Sequence, residues 1–306
     1  MREASTTVGD SGQLTLDNPV TRHPRISPPK QDQPEPGLDA LLQPRADLGE
    51  DGYRGTGRLK GRRALITGGD SGIGAAVAIA FAREGADVGI AYLPQEEEDA
   101  RRIIALIEAE GRVGIGFPGD LMDSGYRNGL ADQAAEALGG LDILVNNAGK
   151  QLSVDRLEDL DEQQLLETFQ VNIMAMFSIT RAALKHLPAG ASIINTTSIQ
   201  AYDPSPNLLD YASTKAAINS FTKGLAMQLA PKGIRVNAVA PGPVWTPLQV
   251  SDGQPKDKLP EFGHNTPLGR AGQPVEVAPA YVFLASAESS YVVGETLNVN
   301  GGKASP

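Results

Sequence analysis

Seven short apolar runs alternate with helical patterns between Arg63 and Val299, and this constrains the fold more than any other feature. The runs are Arg63 to Thr67, Ala86 to Tyr92, Val113 to Phe117, Leu141 to Asn146, Ile193 to Thr197, Ile234 to Ala240 and Thr296 to Val299. They are continuously apolar rather than alternating, so each strand must be covered on both faces. Helices are expected over 75–86, Gln95 to Glu110, Ser124 to Leu138, about Leu160 to Leu187, about Leu208 to Ala230 and Val275 to Ala285. Strand and helix in strict succession imply an α/β chain with a doubly wound, seven-stranded parallel sheet and helices on both faces. No break interrupts residues 58–306, so this stretch is read as a single domain.

Residues 1–57 differ in kind. Pro19, Pro24, Pro28, Pro29, Pro34, Pro36 and Pro44 interrupt any period, and polar residues fill the gaps. Such a segment is an extended or disordered arm. The alternative is an arm that wraps a neighbouring subunit, with Leu38, Leu41 and Leu42 as anchors.

Composition narrows the function. A net charge of −10 argues against nucleic acid or an anionic membrane as partner. No apolar run is long enough to span a bilayer, and the first residues lack the apolar core of a secretory signal, so a cytoplasmic protein is expected. Cysteine is absent, which removes disulfides, thiolate ligands and a cysteine nucleophile together. His23, His186 and His264 are scattered, so no metal site is expected.

Two local patterns carry chemistry. The first is Thr67 to Gly74, TGGDSGIG, between the first strand and its helix. Gly68, Gly72 and Gly74 allow a tight turn, close approach of backbone to a pyrophosphate and close helix packing, while the helix N-terminus offers N–H groups to negative charge. The second is a strand ending at Ser198, followed by a helix carrying Tyr211 and Lys215 four residues apart on one face. A lysine beside a phenol favours the phenolate and lowers the tyrosine pKa, making it a usable base. Alone, Tyr-x-x-x-Lys is also a common chance pairing on helices.

The cofactor's identity turns on charge near the second strand. A 2′-phosphate would want arginine or lysine there. Instead Asp70 and Ser71 stand in the glycine turn, and Tyr92, Leu93 and Pro94 precede Glu96, Glu97, Glu98 and Asp99. The acidic run also suits a helix N-terminus electrostatically. With no nearby cation, NAD(H) is favoured over NADP(H).

TGGDSGIG, Asp120-Leu121, NNAG at 146–149, Asn172, Ser198, Tyr211-x-x-x-Lys215, Pro241-Gly242 and Thr246 together resemble the short-chain dehydrogenase/reductase family over about residues 58–302. The proline-rich arm with AYLPQEEEDA and APGPVWTPLQ is similar to an N-terminally extended bacterial subgroup of generic and general-stress oxidoreductases. The resemblance implies a Rossmann fold, a homotetramer with the arm at a subunit interface, and hydride transfer between nicotinamide and a carbonyl or alcohol. It implies Tyr211 as general acid/base and Lys215 as the group that lowers its pKa and binds the nicotinamide ribose. Ser198 would hold the substrate oxygen, and Asn172 a water that relays protons to Lys215. Gly68, Asp70, Ser71, Gly72, Ile73 and Gly74 would cradle the cofactor, with Tyr92, Leu93, Asp120 and Leu121 around the adenosine. Asn147, Ala148 and Gly149 would admit its ribose, and Pro241, Gly242, Val244 and Thr246 would close over the nicotinamide and pyrophosphate. Asp120 could equally be a loop N-cap, and NNAG a strand-ending turn.

Lys150, Gln151, Gln200, Tyr202 and Trp245 follow these motifs and are expected to rim the substrate. Their polar and aromatic mix suits a small sugar, polyol or aldehyde. Residues 248–265 read as a lid. A 3-oxoacyl reductase is the second enzymatic reading, and a non-catalytic dinucleotide sensor the reading from another class.

Overall fold

In the computed structural model, which describes residues 13–303, the first strand is interior rather than at an edge. The strands are β1 (Arg63–Thr67), β2 (Asp87–Tyr92), β3 (Gly114–Pro118), β4 (Ile143–Asn146), β5 (Ser192–Thr196), β6 (Arg235–Pro241) and β7 (Thr296–Val299). They form one parallel sheet in the order β3-β2-β1-β4-β5-β6-β7, as the uninterrupted apolar runs require. The chain leaves β1 toward β2 on one side and returns to β4 on the other. Strand order therefore reverses between β1 and β4, and a crevice opens at their carboxyl ends, where open α/β sheets bind ligands.

The period of two along each strand divides the core. Ala64 and Ile66 of β1 face one cluster, and Leu65 between them faces the other. On the first face lie α1 (Gly72–Arg83), α2 (Glu97–Ala109) and α7 (Pro274–Ala285); on the second, α3 (Ser124–Leu138), α5 (Ala175–Ala183) and α6 (Leu209–Leu229). Helix α1 supplies Ala75 through Ala82 as an unbroken buried run, small enough to seat close to the sheet and to α7. Full burial of each larger side chain, such as Ile79 or Phe81, contributes about 1.5–3 kcal/mol.

The long helix expected over 160–187 is divided. Helix α4 (Glu162–Phe169) passes into a π-helical turn, Gln170–Met174, and then into α5. The extra residue per turn rotates Asn172 inward, where it is buried, and such turns concentrate at functional sites. Periodicity does not register a single-turn change of pitch.

The proline-rich segment is extended, with one short 3-10 turn at Asp39–Leu41, and it packs on its own domain. Ile26, Leu42, Ala46, Leu48 and Tyr53 join the core formed by α1 and α7. Of the leucines expected to anchor the arm in a neighbouring subunit, Leu42 is instead buried within this chain, while Leu41 is 58% exposed. Buried Glu84 fixes the end of the segment. It accepts from the Tyr53 hydroxyl at 2.8 Å, from the Thr56 and Arg58 N–H groups at 2.9 and 3.0 Å, and from the Arg58 guanidinium. Burial opposes its charge, yet these donors hold its carboxyl down at about 2. Residues 1–12 of the expected arm lie outside the described residues. Among the described residues no helix is long and apolar enough to cross a membrane.

Candidate active site

A cleft of about 470 Å³ opens along the carboxyl edge of the sheet, from the glycine turn to Tyr211. Gly68 at φ +63° and Gly72 at φ +48° occupy backbone conformations that side chains disfavour. Gly74 does not line the cleft; a Cβ there would fall 1.8 Å from the Gly68 carbonyl oxygen, so this glycine lets α1 close on the turn. Ser71 precedes α1 without capping it by its side chain, which leaves N–H groups facing the cleft. Across from them stands Thr246, whose Cγ2 would lie 3.0 Å from a Cβ at Gly72. Asn147 braces the turn from β4, donating from Nδ2 to the Thr67 and Gly68 carbonyls at 3.2 and 3.1 Å.

The other end is set by β5 and α6. Ser198 follows the strand, its Oγ accepting from the Gln200 N–H at 3.1 Å. Thr197 ties α6 to β5 by donating from Oγ1 to the Lys215 carbonyl at 2.8 Å. Tyr211 and Lys215 are brought to the cleft floor, both buried. The Lys215 Nζ donates to the Thr196 carbonyl at 3.0 Å and lies 5.2 Å from the Tyr211 ring centroid.

Electrostatics differ from the expectation at this pair. Burial pushes the Tyr211 phenol up to about 12, and only a hydrogen bond with Ser198 opposes that rise. Lys215 is itself brought down to about 8 by burial. The expected lowering of the tyrosine by the lysine is not seen here: the Lys215 ammonium bonds to the Thr196 carbonyl, and burial dominates at the phenol.

Asn172 stands behind the cleft rather than in its lining. Its Oδ1 accepts from the Lys150 N–H at 2.7 Å, and its Nδ2 donates to the Lys150 carbonyl and to Thr214 Oγ1, each at 3.0 Å. Gly149 separates it from Lys215: a Cβ there would lie 3.5 Å from both Asn172 Oδ1 and Lys215 Nζ.

Most remaining assigned residues do line the cleft: Asp70, Ser71, Ile73, Tyr92, Leu93, Asp120, Leu121, Ala148, Pro241, Gly242 and Val244. Asp120 accepts from the Met122 N–H in a local turn, and the α3 N-cap is Asp123 instead. Of the expected substrate rim, Lys150, Gln151 and Gln200 line the cleft; Tyr202 and Trp245 do not. Trp245 is fully buried beside Phe262, with its ring N–H donating to the Pro44 carbonyl at 2.8 Å. An indole wedged between a loop and the arm has the composition of a pocket residue but the position of a core residue.

The acidic run separates into different duties. Glu97 accepts from the Tyr92 hydroxyl at 2.7 Å and from Arg101 at 2.8 Å. Buried Asp99 accepts from the Asp39 and Ala40 N–H groups at 2.7 and 3.2 Å, holding the arm. Glu96 lines the cleft, its carboxyl raised to about 8 by burial and by Asp70. Asp70 is 1% exposed and lines the cleft; its own N–H and the Ser71 hydroxyl approach the carboxylate, but neither completes a well-formed hydrogen bond. Burial raises it to about 7.

Composition gave no signal for the arm's part in the site. Glu35, Pro36 and Gly37 line the cleft, and a Cβ at Gly37 would fall 2.8 Å from the Pro247 carbonyl oxygen. The expected lid is bound to the same segment: the Gln33 N–H donates to the Val250 carbonyl at 3.0 Å, and Lys256 donates to Asp32 at 2.6 Å. Gln151 holds it from inside, donating to the Gly253 carbonyl at 2.6 Å.

A doubly wound sheet with a glycine turn at its switch point, and a serine, tyrosine and lysine at the far end of the same cleft, defines a nicotinamide-dinucleotide oxidoreductase. A family model described as enoyl-(acyl carrier protein) reductase matches residues 68–304. The chain is 56% identical over 94% of its length to the uncharacterized oxidoreductase YghA of Escherichia coli, of which it covers 98%. It is 45% identical to the chloroplastic NADPH-dependent aldehyde reductase 1 of Arabidopsis thaliana, over 88% of this chain and 95% of that one. A short chain dehydrogenase of Burkholderia cenocepacia, solved in complex with NADP, superposes with a TM-score of 0.73 at 38% identity, over 80% of this chain and 98% of that one. The chain belongs to the short-chain dehydrogenase/reductase family and is an NAD(P)-dependent dehydrogenase/reductase.

Proposed function

We propose that the protein interconverts a small, neutral carbonyl compound and its alcohol, with sugars, polyols and aldehydes as the substrate class. The observation that carries this reading is the convergence of Ser198, Tyr211 and Lys215 in the cleft that also holds the glycine turn. The lining fits a dinucleotide: uncapped N–H groups at α1 suit the pyrophosphate, and the weakly hydrogen-bonded Asp70 carboxylate beside them is suited to accept from a ribose hydroxyl. When bound, the nicotinamide supplies or accepts the hydride.

The chain's own residues manage the oxygen and its proton. Ser198 donates a hydrogen bond to the substrate oxygen and sets it beside the phenol. Tyr211 gives its proton to that oxygen in reduction and removes it in oxidation. Lys215, directed toward the phenol oxygen, would favour the phenolate and lower its pKa, and a ribose hydroxyl of the cofactor would offer the ammonium a further acceptor. Asn172 fixes the Lys150 backbone on both sides and so holds Gly149 in place next to Lys215. The aldehyde reductase among the relatives supports a carbonyl of modest size. Tyr211→Phe assayed with NADH and a panel of small aldehydes tests the assignment, and full activity in that variant would sink it.

We infer NAD(H) as the preferred cofactor. Relatives named for NADP and NADPH point the other way. The chain's own support is that Asp70, Glu96 and Asp120 are the charged side chains lining the adenosine half, with neither arginine nor lysine among them. A 2′-phosphate would find no cation to pair with there. Kd values for NADH and NADPH, measured side by side, decide the matter.

We also infer self-association through α4, α5 and α6. Leu166, Met174 and Phe177 are 50%, 50% and 49% exposed, and Phe177 packs against Phe221 with ring centroids 4.3 Å apart and the planes tilted by 50°. Ala216 and Ala217 are exposed on α6, so a second copy could approach closely there. This face would form a dimer, and two such dimers the homotetramer expected by light scattering.

A further inference from the structure

The arm places a carboxylate in the substrate half of the cleft. Glu35 pairs with Lys150, and Lys150 Nζ also lies 3.1 Å from Glu167 Oε2 on α4. Lys150 and Glu35 line the cleft; the lysine side chain is 13% exposed and that of Glu35 41%. One ammonium between two carboxylates leaves a local charge of −1. Burial opposes the lysine's charge, but its two partners more than compensate and keep it protonated. The other lining cation, Lys215, is buried and bonded to Thr196. Without these two carboxylates, Lys150 would be the natural receptor for a phosphate or carboxylate on the substrate, and losing either one reduces the local negative charge.

We propose that Glu35 is a specificity-determining residue: with Glu167 it converts Lys150 from an anion receptor into part of a net-negative wall that admits neutral carbonyl substrates and rejects phosphorylated or carboxylated ones. The proposal rests on the carbonyl reading above and extends it to charge selection. It also gives the arm a reason to reach the site. The arm is held on both sides of Glu35, at Gln33 by the Val250 carbonyl and at Asp39 by Asp99, so the carboxylate is delivered at a fixed place. The pairing is close, and a neutral polyhydroxyl substrate can still accept from Lys150 or donate to Glu35 without confronting an unpaired charge.

The test compares glyceraldehyde with glyceraldehyde 3-phosphate, which share a carbonyl and differ in charge. Binding to the full-length protein saturated with NADH is followed by calorimetry, in a Tyr211→Phe background so that neither compound is consumed. Glu35→Gln is expected to tighten the phosphorylated compound at least tenfold relative to the neutral one. Glu167→Gln, which leaves the arm intact, is expected to do the same. Adding Lys150→Met to Glu35→Gln is expected to abolish the gain. An unchanged ratio in both glutamine variants, or a gain that survives removal of Lys150, overturns the proposal. Turnover of glyceraldehyde by the unmodified protein is scored separately: its absence defeats the carbonyl reading, while the binding ratio still judges Glu35.

Discussion

Lys215 donates its hydrogen bond to the Thr196 carbonyl at 3.0 Å while its ammonium sits 5.2 Å from the centre of the Tyr211 ring. The lysine is thus anchored to the strand that precedes Ser198. Its charge reaches the phenol only through space. Burial raises the phenol to about 12, and the Ser198 hydrogen bond works against that rise.

Tyr211→Phe removes the hydroxyl and little else, since the ring already packs in a buried position. Turnover is expected to fall by roughly 10²–10⁴-fold, the usual contribution of a positioned acid/base group. The Kd for NADH, read by fluorescence titration, should change less than threefold, about 0.6 kcal/mol.

Lys215→Met should stabilise the protein as it destroys activity. Burial lowers the lysine from 10.5 to about 8, so the unfolded chain binds the proton more tightly than the native state. Stability of the wild type therefore rises with pH between about 8 and 10.5, and the penalty is complete below 8. That penalty corresponds to roughly 3 kcal/mol, reduced by about 1 kcal/mol for the lost bond to Thr196. Urea denaturation should show the variant ahead by on the order of 2 kcal/mol at pH 7, with the gap closing toward pH 10. A variant less stable at every pH contradicts the assigned cause.

Asp70→Asn separates stability from cofactor choice. Its carboxyl is raised by burial to about 7, so ionisation costs native stability increasingly as pH rises from 3.8 to 7. The asparagine variant should melt higher at pH 8 and gain nothing near pH 4. Loss of a charged acceptor for a ribose hydroxyl should weaken NADH about tenfold. NADPH should weaken less or tighten, narrowing the ratio of the two Kd values.

Trp245 and Leu48 report on the arm's attachment. Trp245→Phe should leave the KM for any aldehyde substrate within twofold, since the indole does not face the cleft, and should cost about 1 kcal/mol for the bond to Pro44. Leu48→Ala, in a segment first read as loose, should cost about 2–5 kcal/mol. A melting temperature unchanged by Leu48→Ala would mean that the arm does not dock as described.

Much of the site was legible because its parts are local. The glycine turn, the strand ending at Ser198 and the Tyr211–Lys215 spacing are each written in a few adjacent residues, and the strand boundaries fall within about two residues of the apolar runs. Trp245 and Tyr202 were misplaced because adjacency to a motif says nothing of the direction a side chain takes. Asn172 was found, but its π turn was not, since one residue of altered pitch leaves the surrounding apolar pattern intact.

By itself the sequence determined the parallel α/β fold and most of the residues that line its cleft, because short-range periodicity and turn chemistry dictate them. Tertiary structure alone decided three things: that the proline-rich arm is a wall of the cleft, that Glu35 meets Lys150, and that Lys215 bonds to the Thr196 carbonyl. Each depends on contacts between distant segments, made by docking and burial rather than by any local preference of the chain.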